Sequence, residues 1–314
     1  MKRRCANSAA WLALLTWLVP ALGLAAADLP GTVVFEATSA YHHMKVVDHL
    51  GLRTLSFDGS WESRMSLANP LQGHFEYTEF FHLPWIWNTN LSSVVMIGLG
   101  GGSIPRSYAR YYTNVLVNTV EIDPAVFRVA TQYFSFKESP TQRVHIEDGR
   151  VFLRRCQTNY DAVFIDAYLE GRYGSAIPYH LVTKEFFTLA RDHLTTNGVL
   201  VFNCVGTLYG WQADLLGAIT QTLKSVFPQV YLFPARESRN VVLLATKSAT
   251  ALGVPELRER ATLLIRSKRV TLPTFWLRVT SLHPKLPASF QSSPVLIDEY
   301  APVDGLLCER PAAP

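Results

Sequence analysis

Val94-Val95-Met96-Ile97-Gly98-Leu99-Gly100-Gly101-Gly102-Ser103 is the stretch that decides the fold. An unbroken apolar run gives way to glycines and then to a helical stretch, Ile104 to Tyr112. This is how a strand buried on both faces reads when it turns sharply into a helix. Glycine in such a turn has no Cβ, so the backbone bends tightly and a ligand can approach the main chain.

The same alternation continues outward. Apolar strands are expected at Val94 to Gly98, Val115 to Glu121, Val144 to Glu147, Ala162 to Asp166 and Val199 to Asn203. Helices are expected at Ile104 to Tyr112, Pro124 to Tyr133, Val151 to Cys156, Thr183 to Leu194 and Trp211 to Phe227. Pro124 after Asp123 suits a first helical turn, and Gly198 suits a stop after Leu194. Two late strands, Val230 to Phe233 and Val241 to Ala245, are placed to close an antiparallel edge. The pattern predicts an α/β, Rossmann-like sheet of the nucleoside-binding methyltransferase type, with helices on both faces. Upstream, Val33 to Phe57 reads as short hairpins with turns at Gly51 and Asp58-Gly59. The expected organisation is a leader over 1–27, a small antiparallel β domain over 28–90, a catalytic domain over 91–248, and a C-terminal helix (Glu256 to Lys268) and tail over 249–314.

Carboxylates fall at the carboxyl ends of successive strands, where open α/β sheets bind ligands. Glu121 and Asp123 lie about 20 residues beyond the glycine turn, where a carboxylate can accept ribose hydroxyl hydrogen bonds. Asp148-Gly149 follows the third strand and Asp166 ends the fourth. Any one of these acids could simply cap a helix, but their common register argues for a site.

Composition excludes several classes. Of 314 residues 48% are hydrophobic and 17% charged, which fits a globular domain and neither a disordered nor a polytopic membrane chain. The net charge of +4 includes Lys2, Arg3 and Arg4, so residues beyond 27 carry 26 basic against 25 acidic side chains. A nearly neutral body has no clustered basic face for nucleic acid. The basic start, the uncharged run from Ala9 to Ala27 and the small residues Ala25 to Ala27 have the layout of a signal peptide. The run is also long enough for an uncleaved anchor. Either reading puts the body outside the cytoplasm or at the membrane. Cys156 and Cys204 are expected as buried apolar residues and Cys308 as a tail thiol or half of one bridge. The cysteines lack the spacing of a zinc site, and no metal is expected.

GLGGGS at Gly98, VEIDP at Val120, EDGR at Glu147 and IDAY at Ile165 together resemble the spermidine and spermine synthase family of aminopropyltransferases. The likeness extends to Ser39-Ala40-Tyr41-His42-His43-Met44, to Leu55 through Glu62, and to Tyr77-Thr78-Glu79. Leu296 through Asp304, with Ile177-Pro178-Tyr179-His180-Leu181, is similar to the bacterial spermidine-synthase-like branch. The resemblance implies transfer of an aminopropyl group from decarboxylated S-adenosylmethionine to a small-molecule amine, in a homodimer. Gly98, Gly100, Gly101, Gly102, Glu121, Asp148 and Gly149 would hold the donor, with Glu121 on the ribose and Asp148 beside the adenine. Asp166 would orient and deprotonate the amine, and Tyr77, His42, Glu62 and Glu170 would line its path.

The chain also departs from the family pattern. Gly101 and Leu169 stand where the family carries aspartates, His42 and Glu62 stand at glutamine positions, and Ala235-Arg236-Glu237-Ser238-Arg239 replaces a Tyr-Pro-rich segment. Arg236 and Arg239 would disfavour a dicationic amine. Trp61, Trp85, Trp87 and Tyr168 are candidates for an aromatic wall or for plain packing. Two other functions therefore stay open: an S-adenosylmethionine-dependent methyltransferase, and an exported nucleoside-binding protein without turnover.

Overall fold

The computed structural model describes residues 31–171, 174–210 and 213–306. The expected leader and Cys308 lie outside the described residues. The chain opens with a four-stranded antiparallel sheet, β1 (Thr32–Thr38), β2 (His43–His49), β3 (Leu52–Phe57) and β4 (Ser60–Ser66), paired in sequence order. Asp58 and Gly59 both have positive φ, as a two-residue hairpin between β3 and β4 requires. Met44, Val46, Leu55, Phe57 and Met65 point to one face of this sheet and pack on the second helix of the next domain.

The central sheet has seven strands. Its elements in chain order are β5 (Ser93–Ile97), α1 (Ser103–Tyr111), β6 (Leu116–Glu121), α2 (Pro124–Tyr133), β7 (Gln142–Ile146), α3 (Gly149–Arg155) and β8 (Tyr160–Ile165). A short hairpin, β9 (Leu169–Gly171) and β10 (Gly174–Ala176), precedes α4 (Lys184–Asp192), β11 (Leu194–Val205), α5 (Ala213–Lys224), β12 (Gln229–Pro234) and β13 (Asn240–Thr246). The spatial order is β12-β13-β11-β8-β5-β6-β7, with β13 antiparallel to β11 and β12. From β5 the chain winds outward through β6 and β7, then returns to the other side as β8. The carboxyl ends of β5 and β8 are therefore a topological switch point, where such sheets leave a crevice.

Side chains alternate across β5. Val95 and Ile97 join the core beneath α3, α4 and α5, while Val94 and Met96 join the core with α1, α6 (Val254–Arg266) and α7 (Phe275–Val279). Both faces are thus covered, which is why β5 and β8 read as continuous apolar runs. Caps set the helix starts: Asp123 accepts from the Ala125 N–H, Asp148 from Val151 and Thr183 from Phe186.

Three expectations are corrected. Gly198 does not stop a helix: α4 ends at Asp192, and Gly198 lies inside β11, where pairing with β8 shifts between Leu194 and Val199. Cys156 is only half-buried, with its Sγ 3.4 Å from the Tyr160 hydroxyl, whereas Cys204 is buried. Trp85 and Trp87 form no wall of the strand-end crevice; they pack on Tyr112 and Tyr231 in the core. Among the described residues no helix is long and apolar enough to cross a membrane.

Candidate active site

A cleft opens at the switch point. It takes Gly98, Leu99 and Gly100 from the turn after β5, Glu121 from the end of β6, Asp148 and Gly149 from the start of α3, and Asp166 through Leu169 from beyond β8. His42, Glu62, Ser63 and Tyr77 come from the N-terminal sheet and the 3-10 run Glu76–Ile86. Pro178, His180 and Leu181 close the remaining side.

The glycine turn is shaped by contact. Gly98 has φ of 94°, and a Cβ there would lie 2.1 Å from the Asp166 carbonyl oxygen. Only glycine lets these two strand ends pack at this distance. Gly100 borders the cleft, but Gly101 and Gly102 do not. The Gly101 N–H donates to the Ser63 hydroxyl, and a Cβ there would meet Ser63 and Phe134 within 3 Å. Gly102 packs against Phe136. In this structure both positions are in packing contact and neither borders the cleft.

Glu121 is buried. One of its oxygens accepts the Leu99 N–H and the other the Asp123 N–H, each at 2.9 Å. Burial pushes its carboxyl up to about 7, against the pull of those amides. Glu121 lines the cleft wall.

Asp148 caps α3 and also meets His180, whose Nε2 lies 2.9 Å from Oδ2. The His180 hydrogen bond holds its carboxyl below the usual range. His42 stacks on Phe57 with ring centroids 4.1 Å apart. Its Nδ1 is buried without a hydrogen-bond partner, and burial depresses its protonation against the opposing charges of Asp123 and Asp58. An orphaned acceptor or donor at the cleft wall fits a polar ligand.

Asp166 is held at both carboxylate oxygens. The Tyr77 hydroxyl donates to Oδ2 at 3.2 Å and the Asn203 amide to Oδ1 at 2.9 Å. Asn203 is held in turn by Asn240, while the Tyr168 hydroxyl donates to the Asn203 carbonyl and accepts from Val205. Burial pushes Asp166 up to about 6 against both hydrogen bonds. It remains a carboxylate at neutral pH and can take a proton, as general-base chemistry requires.

Glu62, Tyr77 and Tyr168 also line a second groove that continues past Trp61, Arg64, Glu237 and Arg239. The two openings share these three residues, and Tyr77 holds Asp166 of the first, an arrangement suited to joining two substrates. The side chain of Glu170 lies outside the described residues. Among the described residues no group of three His, Cys, Asp or Glu side chains is arranged to hold a metal ion.

Asn203 was not among the residues expected at the site, although it closes a predicted strand beside the one ending in Asp166. The strand-end rule that picked out Asp166 applies equally to it.

The profile described as "Spermine/spermidine synthase domain" matches residues 74–244. The chain is 33% identical over 223 residues to the polyamine aminopropyltransferase of Vibrio vulnificus, covering 68% of this chain and 72% of that one. The chain belongs to the spermine/spermidine synthase family. Members of this family are transferases, and the fold agrees: a spermidine synthase solved in complex with the transition state analogue AdoDATO superposes with a TM-score of 0.62 over 82% of this chain and 86% of that chain, at 20% identity. Human methyltransferase-like protein 13, solved in complex with SAH, is 28% identical with a TM-score of 0.53, over 62% of this chain and 90% of that one. The methyltransferase likeness is one of fold. The spermine/spermidine synthase match takes in Tyr77, the glycine turn, Glu121, Asp148, Asp166 and Asn203 together.

Proposed function

We propose that this member of the spermine/spermidine synthase family transfers an aminopropyl group from decarboxylated S-adenosylmethionine to a small amine. The observation that carries the reading is Asp166, which lines the cleft and is gripped by Tyr77, shared by the cleft and the second groove, and by Asn203, which lines the second groove. In the reaction the lone pair of a neutral amine attacks the propyl carbon beside the sulfonium, the C–S bond breaks with its electrons going to sulfur, and methylthioadenosine leaves. The new ammonium releases its proton to the Asp166 carboxylate. Alignment of the two reactants and negative charge beside the sulfonium path are what the protein supplies.

The role of each residue follows from its position. Glu121 accepts from the ribose hydroxyls, Asp148 and His180 border the adenine, and His42 offers its unpartnered Nδ1 to the donor. Glu62 and Tyr77 border both openings and face the acceptor's approach. We also propose that the body lies outside the cytoplasm or is held at a membrane through residues 9–27, and that the protein acts as a homodimer. The apolar leader supports the first, and the commonness of two-fold oligomers supports the second.

Calorimetric titration tests the donor. Decarboxylated S-adenosylmethionine and methylthioadenosine are expected to bind more tightly than S-adenosylmethionine, with binding lost in Glu121→Ala. Preference for intact S-adenosylmethionine would favour a methyltransferase, and no binding by any of the three would leave only a protein that keeps the fold without its reaction.

A further inference from the structure

The tail segment Leu296–Asp298 is wired into the wall of the cleft. Leu296 is fully buried in the core under α4 and α5. Its N–H donates to the Thr222 hydroxyl at 2.9 Å and its carbonyl accepts the Lys184 N–H at 2.8 Å, so the segment is fastened across both helices. This fixes the position of Asp298. Both oxygens of Asp298 accept from Arg150, at 2.8 and 2.6 Å, and Oδ1 also accepts the Thr183 hydroxyl at 2.7 Å. The Asp298 N–H donates to Glu185.

Arg150 is buried, one residue past Gly149 in the first turn of α3. Besides Asp298 it donates to the carbonyl of His180 at 3.1 Å. The His180 ring then meets Asp148, the residue that caps α3 two positions before Arg150. The contacts close a ring that runs from Asp298 to Arg150, to the His180 backbone, to the His180 side chain, to Asp148, and back along α3 to Arg150. Three members of the cleft wall, Asp148, Gly149 and His180, belong to it or sit beside it.

We infer that Asp298 is a positioning residue for the nucleoside: through Arg150 it holds the 178–181 turn and the start of α3 at the separation the adenine side of the cleft requires. A bidentate arginine–carboxylate pair fixes both distance and plane, which a single contact cannot do. Without Asp298, the buried Arg150 guanidinium keeps only the His180 carbonyl as partner, and it must swing toward water to regain hydrogen bonds. That movement takes the His180 turn away from Asp148. The C-terminal tail, about 130 residues beyond Asp166 and outside the central sheet, is on this account part of the donor site.

The inference rests on the cleft being the nucleoside site, so its test separates the two. Methylthioadenosine binding to the full chain is measured by calorimetry for wild type, Asp298→Asn, His180→Ala and the double variant. Asp298→Asn is expected to weaken binding about tenfold while leaving the KM of the amine unchanged, and Asp298→Glu is expected to restore part of the loss. The double variant should bind no worse than His180→Ala alone, because both substitutions break one chain of contacts. Wild-type affinity in Asp298→Asn, or losses that add in the double variant, would overturn the inference.

Hydrogen exchange decides the matter independently of any ligand. Amides of 149–152 and 177–182 should exchange faster in Asp298→Asn, with β12 and β13 unchanged. Unchanged exchange in those two segments would also overturn it, including in the case where wild type binds no nucleoside and the donor reading itself fails.

Discussion

Gly98 and Asp166 touch backbone to backbone: a Cβ on Gly98 would stand 2.1 Å from the Asp166 carbonyl oxygen, and the Asp166 N–H donates to the Ile97 carbonyl at 2.9 Å. The glycine turn and the acid to which the proposed reaction gives the proton are thus held against each other. Substitution of Gly98 by alanine forces both the left-handed φ and this contact to give way. The Gly98→Ala protein is expected to fold, with kcat/KM at least about a hundredfold lower, the usual effect of an ångström of misplacement. Steady-state kinetics beside a circular dichroism spectrum checks both halves.

The raised Asp166 sets the acid limb of the pH profile. With its carboxyl at about 6, activity should rise as pH increases through that value, because the ionised form accepts the proton. Tyr77 donates to the ionised form and so pulls the pKa down. Tyr77→Phe should therefore move the acid limb upward, while Asp166→Asn should lower kcat about 10²- to 10⁴-fold and abolish the limb. A pH profile of kcat for the three proteins reads this directly.

Glu121 should make nucleoside binding pH-dependent. Burial holds its carboxyl at about 7 in the free protein. Ribose hydroxyls donate to the ionised form, so affinity should rise with pH through about 7 and level off above it. Glu121→Gln should bind weakly and without that dependence, as calorimetry at pH 6 and 8 would report.

The buried cluster behind the site governs stability. Arg278 donates to Glu79 at 2.6 Å and to Glu76, whose other oxygen accepts the N–H groups of Arg236 and Glu237. Burial acts to raise Glu79, but hydrogen bonds from His74 and Arg278 outweigh it and bring the carboxyl to about 2. Because that value lies below the unfolded one, the contribution is complete above about 4.5 and is lost as pH falls toward 2. Arg278→Met strands two buried carboxylates and should cost about 3–5 kcal/mol. Urea unfolding at pH 7 and pH 2.5 measures both effects.

Much of this was readable from residue types alone. Continuous apolar runs such as Val94–Ile97 admit little besides a strand buried on both faces, and Asp123-Pro124 announces a helix start. Glu121, Asp148 and Asp166 were identifiable because one rule, carboxylates at strand ends, selects them all. The 3-10 run Glu76–Ile86 was not readable: it is buried throughout, mixes charge with aromatics and includes Pro84, so no periodicity marks it. β4 was also hidden, since Ser60–Ser66 is mostly polar and gains its place by pairing with β3.

Contacts between distant residues were beyond reach for a different reason. Arg150 and Asp298 are 148 positions apart, and nothing local in either neighbourhood names the other. Gly101 shows the opposite case. The loss of a carboxylate there was visible in the sequence, but that Ser63 and Phe134 occupy the space became visible only in three dimensions.

Product analysis tests the central claim most directly. The purified protein is incubated with decarboxylated S-adenosylmethionine and a panel of amines, and nucleoside and amine products are separated by mass. The account predicts equal amounts of methylthioadenosine and an aminopropylated amine from wild type, and neither from Asp166→Asn. No methylthioadenosine with any amine, or S-adenosylhomocysteine formed from intact S-adenosylmethionine in its place, would contradict it.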